Sequence, residues 1–392
     1  MTWSLLCGNE GLWKENVQDF PGQLLAGGRE MSPSPTPTVV VKIGGAALTN
    51  KLIPCALAPE ESLAAIASQI HTAYLLLKQR GQRLILVHGA GSFGHPQAKS
   101  HGLSSSGIPA GLPTECREFK VRGAVETRRA LLNLHNKVLE LLSARDVPVI
   151  SLPSFNLVKT TGGVAMTQPS AFAPVVRAVR DALDAGFVPL LHGDLVMDET
   201  RGFAILSSDI ILERLAQALQ VAPGDSGFGD ADGYGYVVER CVFLTDVEGV
   251  YDRDPKKPAG PNGGELARLI NRIGVSKVND GDVPAPAPSP SSVLTEGKVG
   301  GTEGLDGEES EEDAKVVADV TGLMPGKVAV ARRVLLDMVD ARVALGADVT
   351  EKNQVAVKVI ICKAGSQGAW EAITGNLDDV NEAVRMTVVE LE

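Results

Sequence analysis

No apolar run in this sequence reaches the roughly 18 to 20 residues needed to cross a bilayer. The strongest runs, Leu84 to Val87 and Val357 to Ile361, are strand-sized and flanked by polar residues, so a soluble protein is expected. No Cys-x-x-Cys pair occurs among Cys7, Cys55, Cys116, Cys241 and Cys362, an odd number scattered along the chain. That pattern suits a reducing compartment, and the cytoplasm is the expected location. No Lys/Arg block with interleaved aromatics is present, so nucleic acid is not an expected partner. Residues 1–37 lack an apolar signal core and, with Glu10, Glu15, Asp19 and Glu30, the acid-poor character of a transit sequence. They read as a disordered N-terminal extension, in which Met31 is an alternative start.

What is present is enough apolar material for one large core or two modest ones: 44% of 392 residues are hydrophobic. The net charge of -11 is concentrated, because six of the eight residues from Asp306 to Asp313 are acidic. Ordered sequence begins at Val39-Val40-Val41-Lys42-Ile43, a β-branched run that stops at Gly44-Gly45 and reads as a buried strand entering a turn. Leu63, Ile66, Ile70, Tyr74 and Leu77 recur at helical spacing, Gly81 supplies a stop, and Leu84 to Val87 is the next strand.

The alternation continues. A helix is marked by Leu131, Leu134, Val138 and Leu141, then come a strand at Val147 to Leu152, a helix at Val175 to Leu183 and a strand at Val188 to Leu191. Leu195 to Ile205 reads as a hairpin, and Ile210 to Leu219 as a helix. Val237 to Leu244, Val328 to Met338 and Val355 to Ile361 add a strand, a helix and a strand. This order predicts a three-layer αβα sandwich with a mainly parallel sheet. Segments 222–235, 281–313 and 340–354 are Gly/Asp-rich, Pro-rich then acidic, and polar respectively, and read as surface insertions that cannot bury enough apolar area to order themselves.

Two glycine turns directly follow apolar strands: Lys42-Ile43-Gly44-Gly45-Ala46 and His88-Gly89-Ala90-Gly91-Ser92-Phe93-Gly94-His95. At the carboxyl ends of parallel strands, glycines let backbone N–H groups approach phosphate oxygens. Neither turn has the G-x-x-x-x-G-K-[ST] spelling or a dinucleotide fingerprint, and either alone is as often a plain strand-to-helix connection. Lys42, Lys51 and Lys327 are candidates for neutralising polyphosphate charge, although most lysines are solvated surface residues. Lys42 differs, because it interrupts an apolar strand where an unpaired charge is costly to bury. Asp194, Asp209 and Asp246 each follow an apolar segment and suit Mg²⁺ binding, lysine orientation or ribose contact; a helix cap or turn is the plainer alternative.

Six ordered strings carry a resemblance: Lys42-Ile43-Gly44-Gly45, Val87 through Pro96, Gly193-Asp194, Ile205-Leu206-Ser207-Ser208-Asp209, Thr245 through Asp252, and Asp319 through Lys327. Together, over roughly residues 38–377, they resemble the motifs of isopentenyl phosphate kinases within the amino-acid-kinase superfamily. The histidine of Gly-Ser-Phe-Gly-His narrows the choice within that superfamily. The resemblance implies an ATP-dependent phosphotransferase with a phosphate acceptor, working with Mg²⁺ and converting isopentenyl phosphate to isopentenyl diphosphate in isoprenoid biosynthesis. It implies that Lys51 and His95 are catalytic, that Lys42, Gly44, Gly45, Ala46, Gly91, Asp246, Gly322 and Lys327 hold ATP, and that Ala90, His95 and Ser208 face the acceptor. A charged His95 is expected, with acceptor binding weakening as pH rises.

The resemblance further implies a homodimer and one kinase domain over residues 38–392, with an acceptor-binding part to about residue 185 and an ATP-binding part from about 186. A same-fold kinase for another phosphate, phosphonate or carboxylate acceptor, and a nucleotide-binding regulatory module without catalysis, are the alternatives. Two positions depart from the family pattern, Ser208 for a glycine and Leu323 for a glycine. A glycine lost from a positive-φ position would leave strain.

Overall fold

The computed structural model describes residues 35–219, 235–252, 267–275, 325–344, 357–375, 377 and 384–391. In chain order its principal elements are β1 (Thr36–Ile43), α1 (Gly45–Leu48), α2 (Glu60–Gln79), β2 (Arg83–His88), α3 (His95–Ser100), α4 (Thr114–Ser143), β3 (Val149–Ser151), α5 (Ser154–Leu157), β4 (Lys159–Thr160) and α6 (Ala173–Asp184). They continue with β5 (Val188–His192), β6 (Asp194–Asp198), β7 (Gly202–Leu206), α7 (Ser208–Ala218), β8 (Tyr236–Thr245), β9 (Val250–Tyr251), β10 (Leu269–Ile270), β11 (Arg272–Val275), α8 (Pro325–Ala344), β12 (Lys358–Lys363), α9 (Gln367–Thr374) and β13 (Met386–Leu391).

Eight strands form one sheet in the order β11-β13-β12-β8-β1-β2-β5-β3, and every pairing except β12 with β13 is parallel. The expected mainly parallel sheet with helices on both faces is therefore present. Alternation along β1 shows how it is covered, since successive residues of a strand point to opposite faces. Val39, Val41 and Ile43 join the core beneath α2, α4 and α9 with Ile70, Leu134 and Ile373. Val40 joins the opposite core with Leu212 of α7 and Leu335 of α8. Lys42 stands on that second face, and its partner must come from there.

The four central strands end level, with Ile43 paired to both His88 and Leu244, and His88 to His192. The turns after β1, β2, β5 and β8 thus open along one edge. The β6–β7 hairpin lies in a separate three-stranded sheet with β4.

Several boundaries differ from the sequence expectation. The stretch 340–354 is not wholly a connection, because α8 continues to Ala344. The early half of α4, the eight-residue α9 and strand β13 have no counterpart in the predicted elements. Helix α4 begins with a polar turn, Thr114-Glu115-Cys116-Arg117, that carries no apolar period. Insertion 281–313 and nearly all of 222–235 lie outside the described residues.

Candidate functional site

A cleft of about 500 Å³ opens at the level ends of the strands, lined by the turn after β1, the turn after β2, the start of α3, the middle of α4, the β6–β7 hairpin and the start of α7. The two glycine turns meet there directly. A Cβ on Gly45 would lie 2.1 Å from the backbone nitrogen of Gly91, and Gly91 itself has φ +54°. Side chains at either position would push the turns apart, so the glycines are required by packing before any ligand is considered.

The loop carrying Lys51 is fastened to the second turn. Thr49 Oγ1 donates to Gly45 O at 2.7 Å and accepts from Ser92 N at 3.0 Å, and Cys55 N donates to Ser92 O at 3.0 Å. Lys51 Nζ reaches Asp246 Oδ2 at 2.7 Å. Asp246 is positioned by Thr245, whose hydroxyl accepts from Val247 N at 3.0 Å and tightens the turn that ends β8.

Lys42 Nζ lies 2.6 Å from Asp209 Oδ1, with its side chain 8% exposed. The cap of α7 is Ser207, whose Oγ accepts from Asp209 N at 3.2 Å, so Asp209 itself is released to pair with the lysine. Ser208 is the first helical residue and lines the cleft without a positive φ, so its departure from glycine leaves no backbone strain. Lys327, near the start of α8, completes a group of three lysines. Burial and then the nearby charge of Lys42 lower its pKa to about 8, against the opposing pull of Asp246 and Asp209.

His95 opens α3 and faces the same cleft. Enclosure by the cleft walls, followed by the charge of Lys42, holds its pKa below the usual histidine value. Of the residues predicted from sequence, Lys42, Gly44, Gly45, Ala46, Lys51, Ala90, Gly91, His95, Ser208 and Lys327 all line this one cleft, and Asp246 joins it through Lys51. Gly322 lies outside the described residues.

On the side of His95 the lining includes Ala98, Leu131, Leu195 and Ile205 together with Thr127 and Asp194. The apolar segment from Phe119 to Leu134 converges only in part: Leu131 lines the cleft, while Phe119 packs on His101 at 4.6 Å and Phe155 lies under the Arg128 guanidinium at 4.1 Å.

Sequence reasoning missed a stacked histidine cluster behind the wall. His88 Nδ1 donates to Gly89 O at 3.1 Å, His88 Nε2 meets His135 Nδ1 at 3.0 Å, and His135 Nε2 meets Ser151 Oγ at 2.7 Å. His192 stacks against His88 and packs at a tilt against His135. Burial and the mutual repulsion of the rings hold His88 well below the ordinary histidine value and His135 at about 3, so both are neutral. Their signal in the sequence is two histidines that each close an apolar strand just before a glycine. Among the described residues no cluster of three or more His, Cys, Asp or Glu side chains suits a metal ion.

Residues 37–223 match the model of the amino acid kinase family. Isopentenyl phosphate kinase of Haloferax volcanii is 32% identical over 237 residues, spanning 59% of this chain and 87% of that protein. The enzyme of the same name from Arabidopsis thaliana is 28% identical over 298 residues, 76% of this chain and 69% of that one. Among solved structures, an isopentenyl phosphate kinase superposes with TM-score 0.55 at 23% identity, covering 90% of this chain and 99% of the other. The product complex of the T. acidophilum enzyme gives TM-score 0.51 at 19% identity, with the same shares covered. These structures bear on the fold.

Proposed function

The chain belongs to the isopentenyl phosphate kinase family, and from that premise we propose that it transfers the γ-phosphate of ATP to isopentenyl phosphate, giving ADP and isopentenyl diphosphate. The observation that carries this reading is the convergence of Lys42, Lys51, Lys327 and His95 on one cleft with an apolar lobe beside His95. Three cations suit a polyphosphate, and the lobe suits a short hydrocarbon tail.

Phosphoryl transfer asks for positioning and charge neutralisation rather than a protein nucleophile. In this reading a phosphate oxygen of the acceptor attacks the γ-phosphorus in line, the bond to the β,γ-bridging oxygen breaks, and ADP leaves with that electron pair. The turns at Gly44-Gly45-Ala46 and Gly91 cradle the nucleotide phosphates with Lys42 and Lys327, and Asp246 steadies the nucleotide side. Lys51 follows the transferring group, with Asp246 holding its ammonium until substrate arrives. Ala90, His95 and Ser208 hold the acceptor phosphate. Asp209 keeps the Lys42 side chain aimed.

Mg²⁺ fits this site as an ion carried in on the nucleotide. The carboxylates beside the lysines, Asp209 and Asp246, are each engaged by one of them, and such ions are held largely by phosphate oxygens and water with one or two carboxylates. When bound it would neutralise charge on the β- and γ-phosphates. We assign acceptor binding mainly to residues 38–185 and nucleotide binding mainly to 186–392, with the β6–β7 hairpin reaching back into the acceptor lobe. A homodimer in the cytoplasm accompanies this reading. Free Cys55, Cys116, Cys241 and Cys362 are compatible with a reducing compartment, and light scattering tests the assembly.

An ADP-release assay with isopentenyl phosphate, dimethylallyl phosphate and fosfomycin tests the function. Turnover of the first at a kcat/KM well above that of fosfomycin is expected. The reverse order would move the chain to another acceptor.

A further inference from the structure

The hydrogen bonds of His88 and His135 behind the cleft wall can run in one direction only. A carbonyl accepts and cannot donate, so His88 Nδ1, 3.1 Å from Gly89 O, carries that ring's proton. Burial first, and the neighbouring rings second, keep both histidines neutral, so each has a single N–H. His88 Nε2 is then a lone pair, and the His135 Nδ1 that meets it at 3.0 Å must donate. His135 Nε2 is left to accept, and Ser151 Oγ donates to it at 2.7 Å. The chain therefore runs from Ser151 through His135 and His88 and ends on a backbone oxygen of the second glycine turn.

That oxygen belongs to the peptide between Gly89 and Ala90. On either side of it the turn is held by backbone, with Gly89 N donating to Ile43 O at 2.9 Å and Ala90 O accepting from Phe93 N at 3.1 Å. Among the described residues, Gly89 O accepts from His88 alone and Ala90 N donates to nothing. The peptide is trans, so its oxygen and its hydrogen point to opposite sides, and an oxygen drawn back to His88 sends the Ala90 N–H the other way. Ala90 lines the cleft, whereas the His88 ring is fully buried outside it. Without His88 the buried Gly89 carbonyl would have no donor, and the peptide would turn toward the cleft to be solvated, taking its N–H out of line.

We propose that His88, held by His135 and Ser151, is a positioning residue for the phosphoryl transfer: it fixes the Gly89–Ala90 peptide so that the Ala90 N–H donates to the acceptor's phosphate. This rests on the proposed assignment of Ala90 to the acceptor. The ring itself touches no substrate and moves no proton. It presets a backbone donor beside His95, and a donor that needs no reorganisation acts most strongly where charge develops in a site shielded from water. Two histidines that only filled the core would have no use for their polar atoms, which are costly to bury; here each N–H is directed to the next group and the last to this carbonyl.

The test sets His88→Asn against His88→Gln. The Asn amide nitrogen takes the place of the imidazole Nδ1 and the Gln amide that of Nε2, so His88→Asn keeps the donor to Gly89 and loses the contact with His135, while His88→Gln does the reverse. Stability and activity should therefore rank in opposite orders. His88→Gln should melt higher, yet lose on the order of 10² in kcat/KM for isopentenyl phosphate, while His88→Asn stays within about tenfold of the parent. ATP affinity, measured by calorimetry, should stay close to the parent's in both. A residue with a packing role alone would lose activity in step with stability, so equal activity in the two folded variants, or a slower His88→Asn, overturns the proposal. Should neither variant fold, nuclear magnetic resonance on the parent with labelled alanine and histidine carries the test. The Ala90 amide proton should move downfield on saturation with isopentenyl phosphate, and His88 should hold its proton on Nδ1 throughout about pH 6 to 8. An Ala90 resonance that does not move, or a His88 proton found on Nε2, overturns the proposal. In either case a parent that turns over isopentenyl phosphate leaves the proposed function standing and sinks this inference alone. A parent that refuses isopentenyl phosphate overturns the acceptor assignment and this inference with it.

Discussion

Lys42 Nζ and Asp209 Oδ1 lie 2.6 Å apart although 167 residues separate them in the chain, and the contact ties β1 to the first turn of α7. The lysine side chain is 8% exposed and the carboxylate 28%, so the pair is partly shielded and removal of one member leaves the other poorly solvated. Asp209→Asn should destabilise the fold by about 1 to 3 kcal/mol and lower kcat/KM for ATP. A double-mutant cycle with Lys42→Met, read by chemical denaturation, should give a coupling energy of about 1 kcal/mol or more. A coupling near zero would show that the two groups are neighbours without being partners.

Lys51 contrasts with Lys42. Its side chain is 54% exposed, so its ion pair with Asp246 should add no more than about 1 kcal/mol to stability. Lys51→Ala should therefore melt close to the parent while losing on the order of 10² to 10³ in kcat, because its proposed contact forms with the migrating phosphoryl group. Near-normal kcat with a raised KM for ATP would place Lys51 on the bound nucleotide instead.

Lys327 should make nucleotide binding pH-dependent. Burial and the charge of Lys42 lower its pKa to about 8, so the ammonium begins to lose its proton in the free protein near that pH. A polyphosphate favours the charged form and raises the pKa in the complex, so ATP binding takes up a proton around pH 8 and weakens as pH rises beyond it. Calorimetry in buffers of differing ionisation enthalpy should detect this uptake in the parent and lose it in Lys327→Met. Equal uptake in both proteins would assign the proton to another group.

Much of this arrangement was legible in the sequence because β-branched strands ending in glycine have few alternatives. Val39 to Ile43 and Leu84 to Val87 became neighbouring parallel strands, and both glycine turns fell on the cleft. Lys42 could be singled out because a charge within an apolar run demands a partner. The identity of that partner was less accessible, since Asp209 sits after Ser207 in a context where either residue could cap the helix, and only the geometry assigns the cap to Ser207. The histidine cluster escaped for a different reason. His88, His135 and His192 are brought together by sheet register and by α4, and no local period records such a contact.

Asp198 supplies a stability prediction away from the chemistry. Its carboxylate accepts from Thr160 Oγ1 at 2.7 Å, Gly163 N at 2.8 Å, Thr200 N at 3.0 Å and Arg201 N at 2.7 Å, pinning the turn of the β6–β7 hairpin to the loop after β4. Burial pushes its pKa up, but these donors outweigh it and hold the carboxylate at about 2. A depressed folded pKa means that the stabilisation is present above the unfolded value near 3.8 and is lost as pH falls toward 2. Asp198→Asn should accordingly cost on the order of 2 kcal/mol at pH 7 and progressively less between pH 4 and pH 2. A constant difference between parent and variant across that window would refute the linkage.

In the proposed reading His95 carries the choice of acceptor, and its surroundings revise what the sequence leads one to expect of it. A histidine that holds a phosphate suggests an imidazolium, with binding that fades as pH rises. Here the cleft walls and the charge of Lys42 both disfavour the cation, so the ring is neutral at pH 7 in the free protein and, as proposed, would meet the acceptor with one N–H. A neutral donor can be replaced by another neutral donor. His95→Ala should lose about 2 to 4 kcal/mol of transition-state stabilisation with isopentenyl phosphate, whereas His95→Gln should stay within about tenfold of the parent. The pH dependence separates the two pictures. The ratio of kcat/KM for the parent to that for His95→Gln cancels the ionisation of the substrate's own phosphate and isolates the histidine. That ratio should be flat from pH 6.5 to 8.5 if the imidazole is neutral throughout. A ratio that collapses toward one as pH rises would mean that binding draws a proton onto His95 in spite of Lys42, and the charge rather than the hydrogen bond would then be what recognises the acceptor. ATP affinity should be nearly the same in all three proteins, because the proposed nucleotide site lies across the transferred group from the ring.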